Sequence, residues 1–225
     1  MQKLFGFLGL TTVRYFQVRK FIVIFYLVGL IGFLFPITSA LFEKLVPFAL
    51  LLNFVILLAY HTEKFSRNTL VTFLIIFLIG LVVEIIGVQT GKVFGAYTYG
   101  NALGIKIYGV PVLIGVNWLF LSYASLSTIE KWIGKPWYQV VLASLIMVIY
   151  DVVLEQVAPS LDFWYWTASM NAPFQNYLAW FFLALIFTTF LKLSKIPMKN
   201  LMAATLLGVQ FFFFFVLFMV KNVVA

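Results

Sequence analysis

Of the 225 residues of this chain, 64% are hydrophobic and only 10% are charged, and the mean hydropathy is +1.09. Soluble domains are about half apolar and about a quarter charged, so a soluble globular protein is excluded and an all-α, polytopic helical bundle in the cell membrane is expected, as one domain over residues 1–225. The net charge of +8 then reads as loop charge that orients the spans and not as a nucleic-acid surface, and the lack of cysteine removes disulfides, a thiol nucleophile and Cys-based metal sites.

The chain opens with MQKLFGFLGLTTVRYFQVRK, a short apolar run among basic residues. No small-residue cleavage site follows, so the segment is expected to stay in place. Lys3, Arg14, Arg19 and Lys20 suit an interfacial helix over residues 1–20, ahead of the first span. About seven spans follow, near 21–42, 45–60, 69–88, 110–129, 137–158, 175–192 and 199–220. Pro47, Pro111, Pro136, Pro173 and Pro197 fall near span starts, where a missing N–H costs least. With the N-terminus cytoplasmic, the inner segments hold 11 Lys and Arg and the outer ones 4 (Lys44, Lys92, Lys106 and Lys221), as the positive-inside rule requires. His61, the sole histidine, falls at an inner end beside Glu63 and Lys64 and reads as a solvated loop residue.

Two outer loops carry most of the information. Residues 89–109, QTGKVFGAYTYGNALGIKIYG, form a long connection with five glycines, and such loops are more often functional than spacers. Glu84 lies about 6 Å below the end of the preceding span at the helical rise. Gly80, Glu84, Gly87 and Gly91 share one helical stripe, which reads first as a packing seam. On the fourth span Pro111, Gly115, Trp118, Ser122 and Ser125 share a face, with the amide of Asn117 beside it; by itself this is ordinary packing. The second is the aromatic loop after Pro159, which begins within YDVVLEQVAPSLDFWYW, residues 150–166. Asp151 and Glu155 lie at i, i+4, on one helical face, and Pro159 is expected to end the helix. Each carboxylate inside a span costs about 2.5–3.5 kcal/mol on insertion scales, so the pair needs a reason.

One reason is a structural hydrogen-bonding pair. Another is a magnesium-diphosphate site, since carboxylates suit that hard cation, but the outer loops have few basic residues for phosphates. A retinal-type Schiff base fails because Lys199 and Lys221 only flank the last span and the core between them has no lysine. A third reason is proton chemistry. A desolvated carboxylic acid keeps its proton and acts as general acid on an alkene, while aromatic faces steady the cation. Trp164 and Trp166 follow the acids directly, and Tyr97, Tyr99, Asn171, Gln175 and Asn176 come near by topology. Trp and Tyr at an interface also have a bland reading, as an aromatic belt.

EIIGVQTGKVFGAYTYGNALGIKIYGVPVLIGVNWL (84–119), DVVLEQVAPSLDFWYW (151–166) and APFQNYLAWF (172–181) resemble the carotenoid biosynthesis family of membrane hydratases. That family includes carotenoid 1′,2′-hydratases acting on γ-carotene or lycopene and an archaeal bisanhydrobacterioruberin hydratase. The match departs at Gln156, where a proline is expected. The resemblance implies water addition to a terminal isoprenoid double bond, giving a tertiary alcohol, with a carotenoid and membrane lipid as partners and other enzymes of the pathway as neighbours. The site expected from the residues fits that reaction. Asp151 is the first choice as general acid; Glu155 or Glu84 positions water; Trp118, Trp164 and Trp166 line the cation pocket; Asn117, Tyr97, Tyr99 and Asn176 complete the binding wall. Neither metal nor other cofactor is expected, and the site faces the non-cytoplasmic side. A cyclase or isomerase using the same acids, and a non-catalytic carotenoid- or lipid-binding scaffold, remain open at this stage.

Overall fold

The computed structural model describes residues 12–168 and 171–224. They form an all-α bundle of seven helices: α1 (Thr12–Leu34), α2 (Pro36–Ala59), α3 (Arg67–Thr90), α4 (Leu113–Ile129), α5 (Pro136–Glu155), α6 (Phe174–Leu193) and α7 (Ala203–Val224). Six are long and apolar enough to cross a bilayer, and α4 is the shorter, 17-residue member. The chain is a multi-spanning membrane protein on this architecture. Four short strands lie in the connections: β1 (Tyr97–Tyr99), β2 (Lys106–Ile107), β3 (Val110–Pro111) and β4 (Trp164–Trp166).

The helix α4 is the axis of the bundle. It packs against α2, α3, α5, α6 and α7, and none of its residues is exposed. Its neighbours carry the lipid-facing surface instead, with large apolar residues such as Ile31, Phe48, Leu74 and Phe182 turned outward. A helix that is apolar all round belongs at such a centre.

The start of the bundle corrects the expected boundaries. The first two spans are 12–34 and 36–59, not 21–42 and 45–60. Pro36 is the reason: it occupies the first turn of α2, where its missing N–H is harmless, and the chain reverses at Phe35. The run 21–42 has no charged residue and only Thr38 and Ser39 interrupt it after Pro36, so hydropathy does not register the reversal. Pro47 consequently lies inside α2 and not at a span start. Of the expected interfacial segment 1–20, residues 12–20 are continuous with α1, and residues 1–11 lie outside the described residues.

His61 is also not a loop residue in water. It is buried, its Nδ1 lies 2.6 Å from the Tyr123 hydroxyl, and it forms a backbone bridge with Asn200. Asn200 donates to the Leu57 carbonyl at 2.6 Å and to the Tyr123 hydroxyl at 3.2 Å, and its Oδ1 accepts from Met202 N and Ala203 N at the start of α7. This latch ties α2, α4 and α7 at one end of the bundle. Burial pushes the His61 imidazole below its ordinary titration range. The informative loops gather at the other end.

Candidate active site

The two loops form one antiparallel clasp. In register, Tyr97 faces Trp166, Thr98 faces Tyr165 and Tyr99 faces Trp164. Side chains alternate along a strand, so YTY and WYW send both tyrosines and both tryptophans to one face and leave Thr98 and Tyr165 exposed. Asp162 fastens the clasp: its carboxylate accepts from Asn101 N at 2.8 Å and from the Tyr165 hydroxyl at 2.9 Å. Its φ of 53° is a left-handed conformation that Asp tolerates better than most residues. Gly100 crosses so close to Asp162 that any Cβ would collide with it. Lys106 Nζ holds the Tyr99 carbonyl at 2.8 Å.

Beneath the clasp lie the three acids, all buried. Glu84, one and a half turns before the end of α3, accepts from three donors: the Tyr97 hydroxyl at 2.5 Å and the Tyr99 hydroxyl at 2.8 Å on Oε2, and Trp118 Nε1 at 3.0 Å on Oε1. Desolvation, with Glu84 beside them, holds both phenols well above their ordinary range, so they remain donors. Glu155, the last residue of α5, accepts from Trp164 Nε1 at 3.1 Å and Trp166 Nε1 at 2.8 Å, both on Oε2. Asp151 lies one turn deeper and is fully buried. Asn176, in the first turn of α6, bridges the pair: its Nδ2 is 2.8 Å from Asp151 Oδ2 and 3.3 Å from Glu155 Oε1. Asp151 Oδ1 has no hydrogen-bond partner. No Lys, Arg or His contributes a hydrogen bond to these acids among the described residues.

Glu84 and Glu155 border a chamber of about 30 Å³ whose walls include Tyr97, Tyr99, Trp118, Trp164 and Trp166. That is room for a water-sized molecule. Asn117 and Asn176 also reach it, whereas Asp151 does not and is connected to it through Asn176 and Glu155. Every expected site residue except Asp151 therefore borders one cavity. Trp180 borders it too and packs against Trp118, with ring centroids 4.3 Å apart and planes inclined by 32°. It was absent from the expected set, although it follows Asn176 by one turn on the same buried face of α6.

The glycine stripe on α3 serves this wall. A Cβ on Gly80 would stand 2.9 Å from Trp118 Cβ, and one on Gly87 would stand 2.7 Å from the Phe94 ring. The packing seam and the site are thus one feature: small residues admit the aromatics that reach Glu84. Pro159 begins a 3-10 turn (Pro159–Leu161) after α5 has already ended at Glu155, a few residues earlier than the expected stop. Gln156 is exposed and bonds back to the Val152 carbonyl, so the departure from the expected proline does not touch the chamber.

The model of a family described as "Carotenoid biosynthesis protein" matches residues 45–225, which includes every residue of this chamber. No curated protein and no solved structure matches the chain.

Proposed function

This chain belongs to the carotenoid biosynthesis protein family, and from that premise we propose that it adds water to the terminal double bond of an acyclic carotenoid end group, giving a tertiary alcohol. The observation that carries the reading is the convergence of Glu84 and Glu155, backed by Asp151, on one water-sized chamber walled by tyrosine and tryptophan.

In this reading the Asp151–Glu155 pair, joined by Asn176, holds the proton that is transferred. Asp151 is its reservoir, because its one protein donor leaves Oδ1 free, and the pair presents the proton to the chamber through Glu155. Protonation of the less substituted alkene carbon leaves a tertiary cation at the neighbouring carbon. The faces of Trp118 and Trp180 attract it. Glu84, clamped by Tyr97, Tyr99 and Trp118, orients the attacking water and accepts its proton. Exchange with water returns the proton from Glu84 to the Asp151–Glu155 pair, so the sum over a turnover is alkene plus water giving alcohol, with no change of oxidation state. The clasp closes the chamber on the non-cytoplasmic side, where water is supplied.

A cyclase or isomerase would share the acid and the cation but lose a proton from carbon. The donors around Glu84 favour hydration, since they hold a polar acceptor next to the aromatic wall. Expression in a host that makes lycopene or γ-carotene tests the reading. Pigment mass spectra should show products heavier by one water; products isomeric with the substrate would transfer the site to the alternative, and unchanged pigment would leave a binding scaffold.

A further inference from the structure

A cavity of about 350 Å³ opens between α1, α2 and α7, away from the acids. Its walls include Phe25, Phe33, Phe42, Phe163, Phe213 and Phe214, and no charged side chain borders it. The one hydroxyl there, on Tyr26, is taken by Asn53. Val28, Leu45 and Phe48 stand at its margin with 52%, 43% and 68% of their surface exposed, so the cavity opens sideways toward lipid.

Between this cavity and the acid chamber lies a passage-like space of about 20 Å³ that shares walls with both. Leu50, Phe163 and Phe214 border both the aromatic cavity and the passage. Ile114, Asn117, Leu154 and Trp164 border both the passage and the acid chamber. Gln210 stands in the passage on α7. It is 1% exposed, and neither atom of its amide has a hydrogen-bond partner. A buried amide left unpaired on both atoms is costly and marks a place where a ligand or water completes the bonding.

We propose that the aromatic cavity is the berth of the polyene chain, which enters sideways from the bilayer and threads its end group past Gln210 and Asn117 to the acids. This rests on the reading of the site as one that acts on a carotenoid end group. A cavity of this volume lies at the lower end of small-ligand pockets, about 300–1,000 Å³. It takes several isoprene units of the rod, and the remainder stays among lipid tails. Phenylalanine faces suit a flat conjugated chain, and beyond the bonded Tyr26 hydroxyl the next polar groups are Gln210 and Asn117, nearest the reacting carbons. At about 20 Å³ the passage holds no more than a water-sized molecule, so threading requires it to widen around the bound substrate. A larger groove of about 690 Å³, beside residues 101–105 and Val116, also reaches the bundle interior. Glu43, Lys44 and Asp162 border it, which makes it the poorer berth for a hydrocarbon.

The test is binding of lycopene to purified protein in lipid nanodiscs, followed by quenching of tryptophan fluorescence. Gly29→Phe and Ala49→Phe place a ring inside the cavity from two different helices. A Cβ on Gly29 would lie 3.6 Å from the Phe213 ring, an ordinary contact, so the backbone tolerates substitution there. Each variant should weaken lycopene binding by about tenfold or more with an unchanged melting temperature. Asp151→Asn should leave binding intact, and Val116→Phe, which narrows the larger groove, should not alter it. Unchanged binding in both filled variants, or loss confined to Val116→Phe, would overturn the proposal. The readout separates it from the hydration reading. Cavity-dependent binding without hydrated product removes hydration and keeps the berth; hydrated product with normal binding in the filled variants removes the berth alone.

Discussion

The side-chain amide of Asn176 lies 2.8 Å from Oδ2 of Asp151, and it is the only protein donor that carboxyl group has among the described residues. An acid so sparsely bonded, next to a glutamate that accepts two indole N–H groups, makes the pair an unequal one. The inequality gives the proposed proton transfer its direction: from the buried aspartate, through Glu155, to the chamber.

Asp151→Asn and Glu155→Gln keep the shape and hydrogen bonding of the pair but cannot deliver a proton. Each should lower product formed per molecule by about 10²–10⁴-fold, the range for a general acid, with normal abundance in the membrane. Quantifying pigment against protein from the same cells checks this. Near-normal turnover in either variant removes that residue from the proton path.

The clasp should be separable from the bundle. Gly100→Ala sets a methyl group against Asp162, and overpacking of this kind costs about 1–3 kcal/mol. The variant should lose activity by opening the β1–β4 pair, while helix content by circular dichroism is retained. Full activity would mean that the clasp does not seal the chamber.

Much of this was legible in the sequence because it follows from hydropathy and helical spacing. The apolar runs located the later spans within a few residues, and the i, i+4 spacing placed Asp151 and Glu155 on one face. The pairing of Tyr97 with Trp166 was not legible. Three-residue strands carry little local signal, and their register is set by tertiary contact between two loops. The break at Pro36 was hidden because no charged residue lies between Phe21 and Phe42. His61 was misplaced because its hydrophilic sequence neighbours, Glu63 and Lys64, say nothing of Tyr123 and Asn200, which bury it. Gln210 sits in a run of phenylalanines, and only the cavities reveal what it faces.

The latch at the far end should affect stability and not chemistry. His61→Asn should lower the melting temperature and leave the product per folded molecule unchanged. Burial depresses the His61 titration, so the unfolded chain binds its proton more readily. That stabilisation is present above the ordinary histidine range, near pH 6.5, and is lost as pH falls below it. Wild-type melting temperature should therefore drop on acidification, and the slope should flatten in His61→Asn. Identical slopes would show that His61 does not titrate with unfolding.

The two loops share one end of the bundle, so they must share one side of the membrane. Cysteines placed singly at Lys92 and Ala168, both exposed, should be labelled by an impermeant thiol reagent in intact cells, against a background with no other cysteine. Labelling only after permeabilisation would reverse the proposed orientation.

The origin of the added atoms tests the proton-then-water account most directly. Membranes containing the protein, given the acyclic carotenoid without air, should convert it in water enriched in ¹⁸O and deuterium. The account predicts one heavy oxygen in the new hydroxyl group and one deuterium on the carbon beside the carbinol carbon. Heavy oxygen taken from ¹⁸O₂ in a parallel aerobic run, or deuterium in a product that gained no oxygen, would contradict it.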